Sequence, residues 1–149
     1  RILNERLVRR LGIPEDYLER ITRREEDEVE RRLRLLRGGQ PMPEVGGRTA
    51  ILVDDGLATG VTALAAIEAL KMKDPRRIVL AVPVCAAPTA EMMRFEVDDL
   101  VSLQIPEDLY AIGFWYENFE QVPDETVIEL LERARRVVEG PDSQPHGEE

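Results

Sequence analysis

The pattern of hydrophobic and polar positions changes near residue 48 of the chain. Before it, residues 14–37 are heavily charged, and apolar residues occur only at sparse helical spacing, as at Leu18, Ile21, Val29 and Leu33. This pattern predicts a long solvated helix with ion pairs three and four residues apart. Residues 38–47 contain four Gly and two Pro. They predict a connector, because such a composition cannot continue a helix.

After Arg48 the pattern alternates between buried strands and amphipathic helices. "TAILVDD", "RRIVLAVPVCA" and "DLVSLQI" are apolar runs typical of buried parallel strands, and "TALAAIEALKMK" and "PTAEMMRFEV" have helical periodicity. A strand, helix, strand, helix, strand order predicts right-handed crossovers onto a parallel sheet. The fold class is therefore predicted to be α/β, with an open, mostly parallel sheet flanked by helices and preceded by the charged helical segment.

The length of 149 residues predicts one core domain with attached segments. Residues 1–47 form the charged helical segment and its connector, and residues 48–139 form the α/β core. The core ends in the amphipathic helix "DETVIELLERARRVVE", for which Asp124 is the expected N-cap. Residues 140–149 are polar and contain Pro and Gly, so a disordered tail is expected there.

The charge and the cysteine content limit the classes of partner and the cellular compartment that can be expected. The net charge is −10 and its acidic excess lies downstream of Thr49, which argues against nucleic-acid binding through the core. Cys85 is the only cysteine, so no intrachain disulfide can form, and a reducing cytoplasmic compartment is expected. No apolar run is long enough to span a bilayer, so no membrane association is expected.

The segment "AILVDDGLATGVT", residues 50–62, carries the candidate chemistry. Asp54 and Asp55 end a buried strand, where carboxylates are costly to desolvate and contribute little to packing. Ligands of open parallel sheets bind beyond the carboxyl ends of strands. The backbone N–H groups of residues 58–62, at the start of a helix, can hold a phosphate, while the two carboxylates can accept hydrogen bonds from vicinal hydroxyls. Together these groups describe a site for a ribose 5-phosphate.

Other interpretations of this segment fit less well. A P-loop requires Lys where Val61 stands, and a dinucleotide fingerprint requires three spaced glycines where only Gly56 and Gly60 occur. A receiver domain requires an Asp at the end of the following strand, and "IVLAVPVCA" has none. A polar strand end with a tight turn and no ligand remains the structural alternative.

The same segment resembles the phosphoribosyl pyrophosphate motif of the type I phosphoribosyltransferases. Both have apolar residues, two acids, two spacers and a small/Thr-Gly-x-Thr loop. Beyond it, the run from Arg48 through "IGFWYENFEQV" is similar to a bacterial group of phosphoribosyltransferases of unassigned substrate. The resemblance implies transfer of the 5-phosphoribosyl group from phosphoribosyl pyrophosphate to a nitrogenous acceptor, with release of pyrophosphate and with Mg²⁺ on the pyrophosphate. It also implies small-molecule partners and a possible homodimer, since this fold often pairs through exposed helices.

The resemblance implies roles for particular residues. Asp54 and Asp55 would be the catalytic pair that contacts the ribose 2- and 3-hydroxyls. "IPEDLYAIGFWYENF" is similar to the stretch with which hypoxanthine-type members cover the base. On that alignment Tyr110 would stack on the acceptor ring, Ile112 would offer backbone groups beside it, and Glu117 would lie near the metal. The 5-phosphate would be held by Ala58, Thr59, Gly60, Val61 and Thr62.

The chain also departs from the family pattern. Ala58 stands where purine-type members commonly have an acid that handles a proton of the base, and Cys85 stands where they have a basic residue. Neither substitution supports purine salvage. No strand, short loop and helix in residues 1–49 resembles the family's pyrophosphate loop, so the chain is expected to lack an upstream portion. The alternatives are a non-catalytic or regulatory module that binds a ribose phosphate and a purely structural domain. For the aromatic stretch itself, the alternative is that its rings only pack the last helix against the sheet edge: Phe114, Trp115, Tyr116 and Phe119.

Overall fold

The computed structural model describes residue 3 and residues 5–139, and the chain divides into two compact units. Among the described residues, the larger unit comprises residue 3, residues 5–10 and residues 42–119, and the smaller unit comprises residues 11–41 and 120–139. The tail predicted at 140–149 lies outside the described residues. In chain order the elements are α1 (Glu5–Leu11), α2 (Glu15–Arg37), β1 (Thr49–Val53), α3 (Val61–Lys71), β2 (Arg77–Val84), α4 (Ala87–Met93), β3 (Asp99–Gln104), a 3₁₀ helix (Ile112–Trp115) and α5 (Asp124–Glu139).

The larger unit is built on a three-stranded parallel sheet with the order β1-β2-β3. Thr49 of β1 pairs with Arg77 of β2, and Val79 of β2 pairs with Asp99 of β3. All three strands therefore end at the same edge of the sheet, and the loops after β1 and β2 meet there. The predicted α/β class with a parallel sheet is confirmed.

Helices α3 and α4 pack against one face of this sheet. Buried residues of both helices join those of one face of β2 in a single cluster, so both connecting helices lie on the same side of the sheet. The central strand β2 accordingly alternates between buried residues, such as Leu80 and Val84, and half-buried ones. The core is formed by buried residues of the sheet, the two helices and the loops between them: Leu57, Ala63, Ile67, Ile78, Leu80, Val82, Cys85, Ala90 and Met93.

The opposite face of the sheet carries exposed apolar side chains. Ile51 and Val53 of β1 are 66% and 70% exposed, and Leu103 of β3 is 77% exposed. Because side chains alternate along a strand, these residues share the face that α3 and α4 do not cover. The expectation of buried strands is therefore wrong for one face of β1 and β3 within the described residues.

In the smaller unit, α2 is the charged helix that the sequence predicts. Glu28 accepts hydrogen bonds from Arg31 and Arg32, at 2.8 Å and 2.9 Å from their Nε atoms, which are the predicted three- and four-residue spacings. The helix ends where Gly38 adopts φ 57° and its N–H donates to the carbonyl of Arg34. Helix α5 packs against α2 within this unit.

The predicted N-cap of α5 is wrong by one position. Asp124 is the first residue of the helix itself, and the N–H of Val127 donates to the carbonyl of Pro123 at 3.2 Å. Pro123 has no N–H and so occupies the preceding position without loss, while Asp124 interacts favourably with the helix dipole in the first turn. None of the described helices is both long enough and apolar enough to cross a bilayer.

Candidate functional site

The acid pair directly follows β1 at the carboxyl edge of the sheet. The N–H of Asp54 donates to the carbonyl of Ala81 at 3.4 Å, which extends the ladder between β1 and β2 by one residue. The N–H of Asp55 then donates to Oδ1 of Asp54 at 2.8 Å. One carboxylate oxygen of Asp54 is thus turned toward its own backbone, and the chain leaves the sheet with both acids at its edge.

The pKa values of Asp55 and of a nearby tyrosine, Tyr116, are both raised at this edge. The pKa of Asp55 is raised, first because its carboxylate is partly desolvated and then because the charge of Asp54 repels a second charge. The pKa of Tyr116 is raised by burial and by the negative charges of Asp55 and Asp54. Two carboxylates held this close favour a ligand that donates hydrogen bonds or brings positive charge.

The loop after the acids is fixed to the end of β2. Leu57 is 3% exposed, its N–H donates to the carbonyl of Val84 at 3.0 Å, and its carbonyl accepts from the N–H of Ala86 at 2.9 Å. Gly56 lies against two side chains, because a Cβ there would be 2.9 Å from Cγ1 of Val84 and 2.8 Å from Cγ2 of Ile112. The start of the loop is therefore a packed part of the core.

Residues 58–62, here called the phosphate loop after their expected role, turn over α4 and include the first two residues of α3. Gly60 has φ 71°, and a Cβ on it would lie 2.8 Å from Cγ2 of Thr89 and still closer to Cε of Met93. Both its backbone conformation and its closeness to α4 therefore require glycine. Thr89, which is buried, donates from Oγ1 to the carbonyl of Ala58 at 2.6 Å.

The phosphate loop presents backbone donors at the start of a helix. The carbonyl of Gly60 accepts the first helical hydrogen bond, from Leu64 at 2.9 Å. The N–H groups of residues 58–62 donate no hydrogen bond to any other residue that the structure describes. Unpaired N–H groups at the positive end of a helix dipole are the usual protein site for a phosphate. The hydroxyls of Thr59 and Thr62 are on exposed residues of the same loop.

Residues 110–119, here called the aromatic segment, reach this edge of the sheet at two points. Ile112 packs on Gly56, and the hydroxyl of Tyr116 donates to the backbone carbonyl of Asp55 at 2.6 Å. Tyr110, the predicted stacking residue, is 91% exposed, and Glu117, the predicted metal residue, is also exposed. The structure thus brings Ile112 to Gly56, next to the acid pair, while within the described residues neither Tyr110 nor Glu117 forms a hydrogen bond with the acids.

The candidate metal chemistry rests on few protein ligands. No group of three or more His, Cys, Asp or Glu side chains capable of holding a metal ion occurs within the described ranges. Cys85 is fully buried, as its position in an apolar strand end predicts, and burial raises the pKa of its thiol.

Three residues of the site escaped sequence reasoning: Thr89, Met93 and Tyr116. Thr89 carried a usable signal, since a polar residue on the apolar face of α4 needs a hydrogen-bond partner, and the neighbouring loop supplies it. Met93 and Tyr116 carried none, because an apolar helix position and an aromatic in a loop are each compatible with many contacts. Their roles depend on tertiary contacts that the local pattern does not encode.

The family of the chain follows from comparison with known proteins. Residues 1–117 match the model of the phosphoribosyl transferase domain family. This match extends over most of the chain and includes the sheet, the acid pair and the phosphate loop. The chain belongs to the phosphoribosyl transferase domain family and is a member of the type I phosphoribosyltransferases.

Particular relatives agree with this assignment. The chain is 36% identical over 138 residues to "Putative phosphoribosyl transferase Rv0571c" of Mycobacterium tuberculosis (strain H37Rv), which covers 91% of this chain and 31% of the relative. The protein with that description from strain CDC 1551, MT0597, matches to the same extent. The chain therefore spans about a third of the length of these curated relatives.

A solved structure supports the fold. The crystal structure of TT1426 from Thermus thermophilus superimposes with a TM-score of 0.70 at 37% sequence identity, over 78% of this chain and 55% of that one. At this identity the likeness extends beyond a shared architecture to a common family.

Proposed function

We propose that this chain binds phosphoribosyl pyrophosphate and transfers its 5-phosphoribosyl group to a nitrogenous acceptor, releasing pyrophosphate. One observation carries the proposal: the acid pair and a loop of unpaired N–H groups lie within one turn of each other at the carboxyl edge of the sheet. Membership of the phosphoribosyl transferase domain family supports a transferase class. The proposal adds the identity of the substrate to that class.

In this proposal the site divides the ligand between two sets of groups. Asp54 and Asp55 accept hydrogen bonds from the ribose 2- and 3-hydroxyls, because ionised carboxylates are acceptors only. The N–H groups of residues 58–62 and the hydroxyls of Thr59 and Thr62 hold the 5-phosphate. A sugar with vicinal hydroxyls and a terminal phosphate satisfies both sets at once.

The chemistry would rely on position and charge. The bond between the anomeric carbon and the pyrophosphate oxygen breaks, its electron pair leaves with pyrophosphate, and a bond forms to the acceptor nitrogen. The ribosyl group carries positive charge as the bond breaks, and the negative charge of Asp54 and Asp55 would stabilise it. Ala58 cannot accept a proton, which favours an acceptor nitrogen that is already unprotonated when it attacks.

Magnesium fits this site only as a cation shared with the substrate. The described residues supply no three-ligand group, whereas Mg²⁺ commonly binds through one or two carboxylates together with substrate phosphates. Glu117 and the acid pair are the carboxylates proposed to contribute. When bound, the ion would neutralise charge on the departing pyrophosphate.

The aromatic segment is proposed to bind the nitrogenous acceptor. The ring of Tyr110 is free to stack on a planar base because it is 91% exposed, and backbone groups beside Ile112 lie where the segment meets Gly56. We further propose a cytoplasmic homodimer without nucleic-acid partners. The reduced, buried Cys85 and the net charge of −10 support the compartment and the partner class, and light scattering at micromolar concentration tests the dimer.

Calorimetric titration with phosphoribosyl pyrophosphate and Mg²⁺ tests the substrate. We expect saturable binding in the unmodified chain and at least tenfold weaker binding in Asp54→Asn/Asp55→Asn, because amides are poorer acceptors than carboxylates. Asp108→Asn, at an exposed aspartate of the loop after β3, is the matched control and should bind normally. Saturable binding that the double substitution leaves unchanged would refute the proposed roles.

A second function, a non-catalytic module that senses a ribose phosphate, is favoured by Ala58 at the position of the family's loop acid. Incubation with phosphoribosyl pyrophosphate, Mg²⁺ and a panel of nitrogenous bases separates the two. Base-dependent release of pyrophosphate supports the transferase, while tight binding without release across the panel supports the sensor.

A further inference from the structure

Tyr116 joins two parts of the chain that are far apart in sequence. Its hydroxyl donates a hydrogen bond of 2.6 Å to the main-chain carbonyl of Asp55, 61 residues earlier. A phenol-to-carbonyl distance at the short end of the normal range indicates a well-formed bond. The contact falls on the residue whose carboxylate is proposed to meet the sugar.

This hydrogen bond completes the fixation of the Asp55 backbone. On the amino side the N–H of Asp55 is held by Oδ1 of Asp54 at 2.8 Å, and on the carboxyl side its carbonyl is held by Tyr116. With both peptide groups fixed, the direction of the bond from Cα to Cβ is fixed as well. Tyr116 bonds the main chain, so it leaves the carboxylate oxygens of Asp55 available to a ligand.

The tyrosine ring is itself held in position. It packs against Phe119 with ring centroids 5.1 Å apart, and the N–H of Tyr116 donates to the carbonyl of Gly113 at 3.3 Å. Phe119 in turn lies on Gly113, where a Cβ would come within 2.9 Å of its Cδ1. The aromatic segment therefore carries the hydroxyl on a packed turn and not on a freely rotating side chain.

The phenol of Tyr116 is the donor in this hydrogen bond. A main-chain carbonyl can only accept, so the proton of the bond is that of the tyrosine hydroxyl. Glu117 follows Tyr116 on the same segment. A neutral tyrosine donating to a main-chain carbonyl adds no charge to the acid pair.

We propose that Tyr116 is a positioning residue that acts through Asp55 and sets the orientation of its carboxylate toward the sugar hydroxyls. The inference rests on the proposed function, since it concerns recognition of the same sugar. It has a specific consequence: the aromatic segment, which is proposed to bind the acceptor, also determines the orientation of the carboxylate that is proposed to bind the ribose. Removal of the hydroxyl should weaken recognition of the ribose hydroxyls without affecting the phosphate loop, whose contacts come from α4.

The test compares two sugar phosphates on the intact chain. Affinities for ribose 5-phosphate and 2-deoxyribose 5-phosphate are measured for the unmodified protein, for Tyr116→Phe and for Asp54→Asn/Asp55→Asn. Tyr116→Phe keeps the ring and its packing and removes only the donor. We expect its preference for ribose 5-phosphate over the deoxy sugar to fall by about fivefold to tenfold, a loss of the size that one hydrogen bond supplies. Tyr17→Phe, on α2, is the matched control and should keep the full preference.

A general loss of structure gives a different result, since it weakens both sugars equally and leaves the preference unchanged. The amide resonance of Gly56 adds a readout without ligand, because its N–H shares the peptide group whose carbonyl accepts from Tyr116. Tyr116→Phe should shift this resonance, and a second variant, Phe119→Leu, should reduce the sugar preference with the hydroxyl present. If the unmodified chain binds ribose 5-phosphate and the double Asn variant does not, an unchanged preference in Tyr116→Phe overturns this inference and leaves the proposed function standing. Absence of binding by the unmodified chain overturns the proposed function and the inference with it.

Discussion

The phosphate loop and the aromatic segment lie at the same edge of the sheet but are built in opposite ways. The phosphate loop is supported by buried side chains of α4, and Gly60 leaves no room for a side chain. The aromatic segment is held through Ile112 and Tyr116, while Tyr110 and Phe114 are 91% and 84% exposed. A rigid backbone suits a ligand part that is always the same, whereas exposed aromatic side chains can adapt to one that varies. Under the proposed function, this difference matches the loop to the invariant sugar phosphate and the segment to the variable acceptor.

The largest effect is expected from Gly60→Ala. The left-handed backbone costs about 1 kcal/mol for a non-glycine residue, and the clash with Thr89 and Met93 adds overpacking of roughly 1–3 kcal/mol. The free energy of unfolding should fall by about 2–4 kcal/mol in urea denaturation, and phosphoribosyl pyrophosphate binding should be lost.

Gly47→Ala is the matched control for this change. Gly47 also has a positive φ, of 66°, but no atom lies within 4 Å of the position of its Cβ. Only the backbone term of about 1 kcal/mol should remain. If both variants lose the same free energy, the loop is not packed against α4 as described, and its rigidity cannot separate it from the aromatic segment.

The backbone of the fold and the location of the site could be predicted from sequence, whereas the supports of the site could not. The apolar run ending at Asp54 predicts a parallel strand, which is present, but the burial of both its faces that such a run also predicts is wrong, because Ile51 and Val53 are exposed. The order of strands and helices then fixes which edge carries the acids. Gly60 could be recognised as a turn residue, but its contact with Met93 could not, because no spacing rule links a loop residue to a helix residue 33 positions later. The hydrogen bond from Tyr116 could not be predicted either, because its acceptor is a main-chain carbonyl, which every residue type has.

Thr89→Val tests the second support of the phosphate loop. The substitution keeps the branched shape and removes the hydroxyl that donates to Ala58, at 2.6 Å. Unfolding should become easier by about 1 kcal/mol, since the loss is one hydrogen bond. Chemical denaturation followed by circular dichroism measures this change.

Thr62→Val provides the contrast within the same loop. Thr62 is exposed, so its hydroxyl is available to a phosphate and the fold does not depend on it. This variant should keep its stability within about 0.5 kcal/mol and bind inorganic phosphate more weakly. A larger loss of stability from Thr62→Val than from Thr89→Val would reverse the roles assigned to the two hydroxyls.

Tyr110→Ala tests the openness of the aromatic segment. Because Tyr110 is 91% exposed, its removal should change the free energy of unfolding by less than about 0.5 kcal/mol. Loss of ring stacking should raise the KM for a planar acceptor about fivefold, which is roughly 1 kcal/mol, with the KM for phosphoribosyl pyrophosphate unchanged. Phe114→Ala, at a similarly exposed ring, is the control. An equal rise in KM from both substitutions would mean that general apolar contact, and not a particular stacking position, serves the acceptor.

Asp55→Asn should have the smallest effect on stability, and its sign distinguishes a ligand site from a structural one. The folded state raises the pKa of Asp55 above its unfolded value through desolvation and the charge of Asp54. Its contribution to stability is therefore fully present below the unfolded pKa of about 3.9 and is lost as pH rises through the folded pKa. At pH 7 the ionised carboxylate costs stability, and Asn removes that cost. Since the residue is exposed and solvent screens the repulsion, the gain should be only a few tenths of a kcal/mol, or roughly 1 °C in Tm.

The pH dependence of that gain completes the comparison. At pH 3 both states of the unmodified chain bind the proton, so the difference in Tm between Asp55→Asn and the unmodified chain should shrink toward zero. Thermal unfolding at pH 7 and pH 3 measures it, with Asp108→Asn as the exposed control. A variant that is less stable at pH 7 than the unmodified chain would mean that the carboxylate supports the fold. A variant that is slightly more stable and yet fails to bind sugar phosphate would mean that the chain keeps an unfavourable charge at this edge because its ligand needs it. The packed phosphate loop beside the charge would then serve the same ligand.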